Sequence, residues 1–389
     1  MHDVVRIAGG RFYDRWIVEP RARAIADPVA KLRYLQGALG AGIRPRRLAR
    51  RRLRPWHGKA VALASLLLLP LPTVSNAVFN AGLVNPPRHA VDLSRPRAAP
   101  SVWLVEESGS HEVYSNGLRI ENRFAVANLR RDYPVYRRDT LELVEWRSGP
   151  VGIVYHTTES QQAPFDLEHN RRLKNLNTWL LEFVQRKRAY HFVIDRFGRV
   201  HRVVRESDTA NHAGYSVWAD DRYVYVNLNP SFVGVSFETE TRQSSAGAAI
   251  NRAQIHAAKV LTEMLRSRYG IALENCVTHA QVSVFPRALL VGNHTDWAAG
   301  FPFAEIGLGD NYRRPLAAVA IFGFDYGLEY LDATGADLWR GLAFGEDVLR
   351  QEAHRHGLPV AAYRKARKSR YREILKVIEE TVSSQESES

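Results

Sequence analysis

The chain has 389 residues, 54 Lys+Arg against 41 Asp+Glu, and a formal net charge of +13. At 45% hydrophobic and 24% charged, it has the make-up of an ordinary globular protein of one large or two to three smaller units, which excludes a mostly disordered chain. Its one cysteine, Cys276, excludes an intramolecular disulfide framework and any multi-cysteine zinc or iron–sulfur site, so a metal would have to be held by His and carboxylates.

The charge is unevenly placed. Residues 1–59 hold 15 Lys+Arg and 4 Asp+Glu, a net of +11, and the next charge after Lys59 is Arg88. A 12-residue apolar run, Ala60–Leu71, follows the basic cluster, and Ser75 and Ala77 then stand in an A-x-A-like arrangement. This order is that of an export signal, cleaved or retained as an anchor over 60–79, with a buried core helix as the alternative. Pro70 and Pro72 weigh against an uninterrupted span. Positive charge ahead of the apolar run orients the amino-terminal side to the cytoplasm. Without residues 1–77 the remaining chain is nearly balanced, at +2, so the overall basicity gives no reason to expect nucleic acid as partner.

The Pro-rich stretch 80–100 reads as a linker. Residues 101–148 alternate apolar and polar, with Asn116–Gly117 as a hairpin turn, and form a β-rich lead segment. GPVGIVYH reads as a buried strand and NRRLKNLNTWLLEFVQRK as an amphipathic helix. AYHFVIDRFGRVHRVV reads as two strands around Phe197–Gly198. VNLNPSFVGVSFETE is a further strand, NRAQIHAAKVLTEMLRSRYG a helix stopped by Gly270, and ENCVTHAQV a short strand. This alternation over 149–310 predicts an α/β domain. Residues 311–389 read as a helical extension broken at Gly357–Pro359, with the final SSQESES a polar disordered tail.

Three stretches set polar ligands against apolar strands: VYHTTES with His156, CVTHAQV with His279, and GNHTDWAAGFPF with His294 and Asp296. Two imidazoles and a carboxylate, with a fourth position for water, is a catalytic zinc pattern. The wide spacing gives no local motif, and each His taken alone fits an ordinary hydrogen-bonding residue equally well.

The succession VGIVYHTTES, AYHFVIDRFGRV, ANHAGYS, NPSFVGVSFETE, THAQVS and HTDWAAGFPF resembles the zinc-dependent N-acetylmuramoyl-L-alanine amidases, the superfamily of phage amidase-type lysozymes and peptidoglycan recognition proteins. The resemblance implies a central mixed β-sheet flanked by helices. It implies Zn2+ on His156, His279 and Asp296, with Tyr190 aiding catalysis and His294 where many members have an oxyanion-stabilising Lys. It also implies substrate contacts from Asn211 and His212. On a strand, Tyr190 and His191 point to opposite faces, so one of them faces the metal.

Two features depart from the family. Its acidic general base, in a segment reading roughly G-I-E-x-E, falls on Ser236. Glu238, two residues on and on the same strand face, is a substitute, leaving the base as Glu238, Tyr190 or zinc-hydroxide chemistry alone. Second, 16 residues separate His279 from Asp296, longer than in many members, and the insert FPRALLVGN implies a local loop or a different third ligand. The resemblance implies an exported peptidoglycan amidase acting on peptidoglycan or muropeptides, periplasmic or membrane-anchored. The alternative is a non-catalytic peptidoglycan-binding module of the same fold.

Overall fold

The computed structural model describes residues 19–25, 28–40, 101–241 and 250–388. The apolar stretch 60–79, the linker 80–100 and most of the basic segment 1–59 lie outside the described residues, so the leader expectations cannot be read there.

Chain order gives strands Leu104–Glu107 (β1), His111–Tyr114 (β2), Arg119–Glu121 (β3), Tyr133–Arg137 (β4), Leu143–Arg147 (β5) and Gly152–Thr157 (β6). Helix Asn170–Lys187 precedes Phe192–Ile194 (β7), Val200–Arg202 (β8), Val217–Ala219 (β9), Tyr223–Val226 (β10) and Phe232–Phe237 (β11). Helix Arg252–Tyr269 then leads to Cys276–Thr278 (β12). The central sheet is mixed and runs β1-β2-β3-β8-β7-β11-β6-β12, with helices on both faces. Its middle strands β6 and β11 are buried at every residue, as their unbroken apolar runs require of parallel strands covered on both sides.

One of the two flanking helices, Arg252–Tyr269, starts and stops where local chemistry dictates. Asn251 caps Arg252–Tyr269 through a reciprocal pair with Gln254, and Gly270 ends it at φ 65°. Tyr155 and His156 alternate across β6. The Tyr155 hydroxyl meets Thr262 Oγ1 of that helix at 2.7 Å. The opposite face is covered by Asn170–Lys187, whose Leu180, Leu181 and Val184 pack with Val193.

The lead segment divides. β1–β3 extend the central sheet, β3 pairing parallel with β8, whereas β4 and β5 join β10 and β9 in a second, four-stranded sheet. The carboxy-terminal helices are Leu328–Ala333, Ala336–Arg355 and Val360–Glu388. The last runs through the serine-rich residues expected to be a disordered tail: no Gly or Pro follows Pro359, so nothing stops a helix once begun.

Helix Pro28–Gly40 belongs to this same body. Leu32 and Leu35 are 2% and 1% exposed in its core, and the helix packs on Leu328–Ala333 and Ala336–Arg355. Lys31 Nζ lies 3.6 Å from Asp325 Oδ1, a carboxylate also held by Lys368 at 2.6 Å. Part of the segment read as a detachable leader or cytoplasmic tail is therefore packed into the core it precedes. Among the described residues no helix is long and apolar enough to cross a membrane.

Candidate metal centre

Parallel strands β6 and β12 are neighbours, with Thr278 opposite Tyr155 in register. The next residue on each is a histidine, so His156 and His279 emerge side by side at the carboxyl ends of the strands, where open α/β sheets form their sites. His279 opens the short helix His279–Val282, fixed by a reciprocal cap between Thr278 and Gln281. Gln281 Nε2 in turn donates to Asn311 O at 2.8 Å.

The long insert between His279 and Asp296 is not a loose loop. It folds into the hairpin Val284–Phe285 (β13) and Leu290–Val291 (β14), which docks on Asp325 through two backbone hydrogen bonds of 3.0 Å. The chain then returns, and Ala280 N donates to Asp296 O at 3.1 Å. Asp296 Oδ1 lies 2.9 Å from His279 Nδ1 and Oδ2 lies 3.3 Å from His156 Nδ1. One ligand atom from each of the three buried residues falls within 4.8 Å of the other two.

Burial, then the neighbouring His279, pushes His156 down to about 4, so its imidazole is neutral and has a lone pair to give. Burial alone would raise the Asp296 carboxyl, but His279 and His156 outweigh it and hold it well below the usual carboxylate range. A second layer sets the tautomer. His212 Nε2 lies 3.3 Å from Phe232 O, a pure acceptor, so Nε2 carries the proton and Nδ1 accepts. His156 Nε2 lies 3.1 Å from that Nδ1 and donates to it, leaving the His156 Nδ1 lone pair toward Asp296. Two buried imidazoles, a carboxylate and a hydrogen-bonded outer histidine form a donor set that fits zinc.

The other expected residues divide. Tyr190 is beside the cluster: a left-handed φ of 61° turns its ring to 5.1 Å from that of His156, and its hydroxyl donates to Thr157 O at 3.4 Å. Burial, then the Asp296 charge, raises it to about 12, so it is a proton donor at neutral pH. His191 turns elsewhere, its Nδ1 accepting from Gly234 N at 2.9 Å. His294 is exposed and stacks on His279 with ring centroids 4.6 Å apart. Burial and then His279 lower its pKa.

Asn211 is exposed, with Nδ2 donating to Lys187 O at 3.1 Å, and helps line a cavity of about 830 Å3 with Arg130 and Arg188. His212, expected at the substrate groove, is instead packed behind His156. Glu238 also differs from expectation. Its Oε2 accepts from Asn177 Nδ2 at 3.0 Å and Arg196 N at 3.2 Å, which turns it under the helix Asn170–Lys187. Burial raises its pKa.

Ser236, the position on which the family's acidic base falls, stands in register beside His156, buried. Two contributors were missed. Glu159 lies on the rim, its Oε1 accepting from Thr157 Oγ1 and, at 3.0 Å, Thr241 N, and its charge is felt by both Tyr190 and His294. Asn229 Oδ1 accepts from the backbone N–H of His212, Ala213 and Gly214 at 2.8–2.9 Å, fixing the loop that carries His212. Glu159 had a signal, standing three residues after His156. Asn229 had none beyond the turn-forming Asn-Pro pair.

Residues 147–298 match the family described as N-acetylmuramoyl-L-alanine amidase. Over 89 residues the chain is 35% identical to the N-acetylmuramoyl-L-alanine amidase AmiD of Escherichia coli, covering 22% of this chain and 31% of that relative, so it spans about a third of the curated relative's length. The solved structure of AmiD in complex with the substrate anhydro-N-acetylmuramic acid-L-Ala-D-gamma-Glu-L-Lys aligns at 20% identity, over 52% of this chain and 89% of that one, with a TM-score of 0.34. The amidase LysC from Clostridium intestinale aligns at 19% identity over 47% and 93%, with a TM-score of 0.26.

Proposed function

We propose, on the premise that residues 147–298 are a domain of the N-acetylmuramoyl-L-alanine amidase superfamily, that this chain is a zinc-dependent peptidoglycan hydrolase. The bond cleaved is the amide between the lactyl group of N-acetylmuramic acid and the L-alanine of the stem peptide. The observation that carries this reading is the convergence of His156, His279 and Asp296 from three separated stretches onto one point.

His156 Nδ1, His279 Nδ1 and the Asp296 carboxylate would hold zinc, which supplies Lewis acidity toward the scissile carbonyl and acidifies water. The chain's own groups do the rest. His212 fixes the ring of His156, and the neutral Tyr190 hydroxyl, with His294, donates toward the oxygen that gains negative charge. Glu159, whose charge is felt by both Tyr190 and His294, moves the proton to the leaving amine, since Ser236 cannot and Glu238 is engaged elsewhere. Arg130 and Arg188, in the cavity beginning two residues from Tyr190, suit the carboxylates of a stem peptide.

Ser236 in place of the expected acid favours a second reading, a binder without catalysis; the complete donor set opposes it. One experiment separates them. Purified full-length protein should contain zinc and release stem peptides from peptidoglycan, and chelation should stop release. Zinc-loaded, folded protein that binds peptidoglycan without releasing peptide would leave only the binder. The envelope location is part of the proposal in a restricted form: residues 28–40 stay with the working domain, on the same side of any membrane.

A further inference from the structure

The helix Asn170–Lys187 presents two faces. Leu173, Asn177, Leu180, Leu181 and Val184 are buried. A second stripe, about 100° around the axis, runs Arg172, Leu176, Trp179, Phe183 and Lys187, at steps of three and four residues. Trp179 is 63% and Phe183 52% exposed, and Leu167, just ahead of the helix, is 87% exposed. Isolated apolar side chains in water need no explanation, but an aromatic ridge on successive turns of one helix does.

The ridge has basic residues at both ends, with Glu182 beside Phe183 and Glu168 near Arg172 as its acidic neighbours. The helix carries five basic residues and a single acid, Glu182, a net of +4, whereas the whole of residues 78–389 amounts to +2. Arg172 stands at one end of the apolar crest, with Arg186 and Lys187 at the other, all exposed. Two copies of this face would set like charges against each other. One end of the stripe, Arg172, Leu176 and Trp179, also borders a concavity of about 410 Å3 with Gln161, Glu168 and Asn175, whereas Phe183 and the Arg186–Lys187 end do not line it. A bilayer with anionic headgroups meets the whole stripe: Trp and Phe lodge at the level of the headgroups, and flanking Arg and Lys reach lipid phosphates.

We propose that this helix face docks on an anionic phospholipid bilayer, with Trp179 and Phe183 entering the headgroup layer and Arg172, Arg186 and Lys187 meeting the phosphates. None of these side chains belongs to the metal cluster, so the inference does not depend on the amidase reading.

The test uses full-length protein with Phe183→Cys carrying an environment-sensitive fluorophore; the native Cys276 is buried and remains unlabelled. Vesicles of phosphatidylcholine alone are compared with vesicles that also contain phosphatidylglycerol. The expected result is a blue shift and quenching by brominated lipid with the anionic vesicles only, weakened by added salt. Arg172→Glu and Lys187→Glu should each lower partitioning by about fivefold or more, and Trp179→Ser should lower it without changing the thermal melt. Four results overturn the proposal: a label that stays in water while the protein sediments with vesicles, equal binding to both vesicle types, burial of the label by dimerisation without lipid, or burial by isolated peptidoglycan rather than by vesicles.

Discussion

His212 Nδ1 lies 3.1 Å from His156 Nε2, and this contact decides which nitrogen of His156 faces Asp296. Removing it as His212→Ala frees the His156 ring to rotate and to protonate at either nitrogen. Zinc affinity should fall about 10–100-fold, measured by competition with a chromophoric chelator. His212→Gln, which retains a side-chain acceptor, should recover part of the loss. Unchanged affinity in His212→Ala would show that His156 needs no partner.

The contact also explains a glycine. A Cβ built on Gly234 would stand 2.5 Å from His212 Cγ, inside any real contact distance. Gly234→Ala must therefore push His212 away or distort β11. We expect a loss of about 1–3 kcal/mol in urea unfolding, accompanied by the same fall in zinc affinity. A variant as stable as the parent would mean that the loop held by Asn229 yields freely.

The central strands and their two covering helices were legible from local pattern, unbroken apolar runs and helical periodicity, whereas the three candidate ligands, too widely spaced for a local motif, were assigned only through the family resemblance. Two things were not legible. The direction of the Glu238 carboxylate depends on Asn177, 61 residues away, and on the Arg196 backbone, which no strand alternation encodes. Likewise the return of Asp296 to His279 across a long insert depends on the β13–β14 hairpin docking on Asp325, a contact made by the carboxy-terminal region. The amino-terminal helix was not legible for the same reason: its charge is local, but its Leu32 and Leu35 are explained only by helices some 300 residues later.

Tyr190 and Glu159 make separable predictions. Tyr190→Phe keeps the ring beside His156 and removes the donor, so kcat should fall about 100-fold with zinc content unchanged. Glu159→Gln should lower kcat by about 100-fold or more while muropeptide binding persists. Ser236→Glu, which places a carboxylate in register with His156, should restore turnover in the Glu159→Gln background. If Glu159→Gln is fully active, the proton passes by another route and Glu159 only braces the loop through Thr157 and Thr241.

The amino-terminal helix gives the sharpest constraint on the apolar stretch. Cleavage near residue 77 would strip Leu32 and Leu35 from the core, and a single span over 60–79 would put Pro28–Gly40 across a membrane from the helices it packs on. Truncating either leucine to Ala should cost about 2–5 kcal/mol of docking free energy. Leu35→Asp buries a charge among apolar side chains and should release the helix altogether. Limited proteolysis should then cut within residues 28–40 in the variant and spare them in the parent. Intact-mass measurement of protein from the producing cell should find residues 28–40 still attached, and reporters fused to the two ends should fall on one side of the membrane. A mature chain beginning near residue 78 with an unchanged melting temperature would show that this helix is dispensable and restore the cleaved-leader reading.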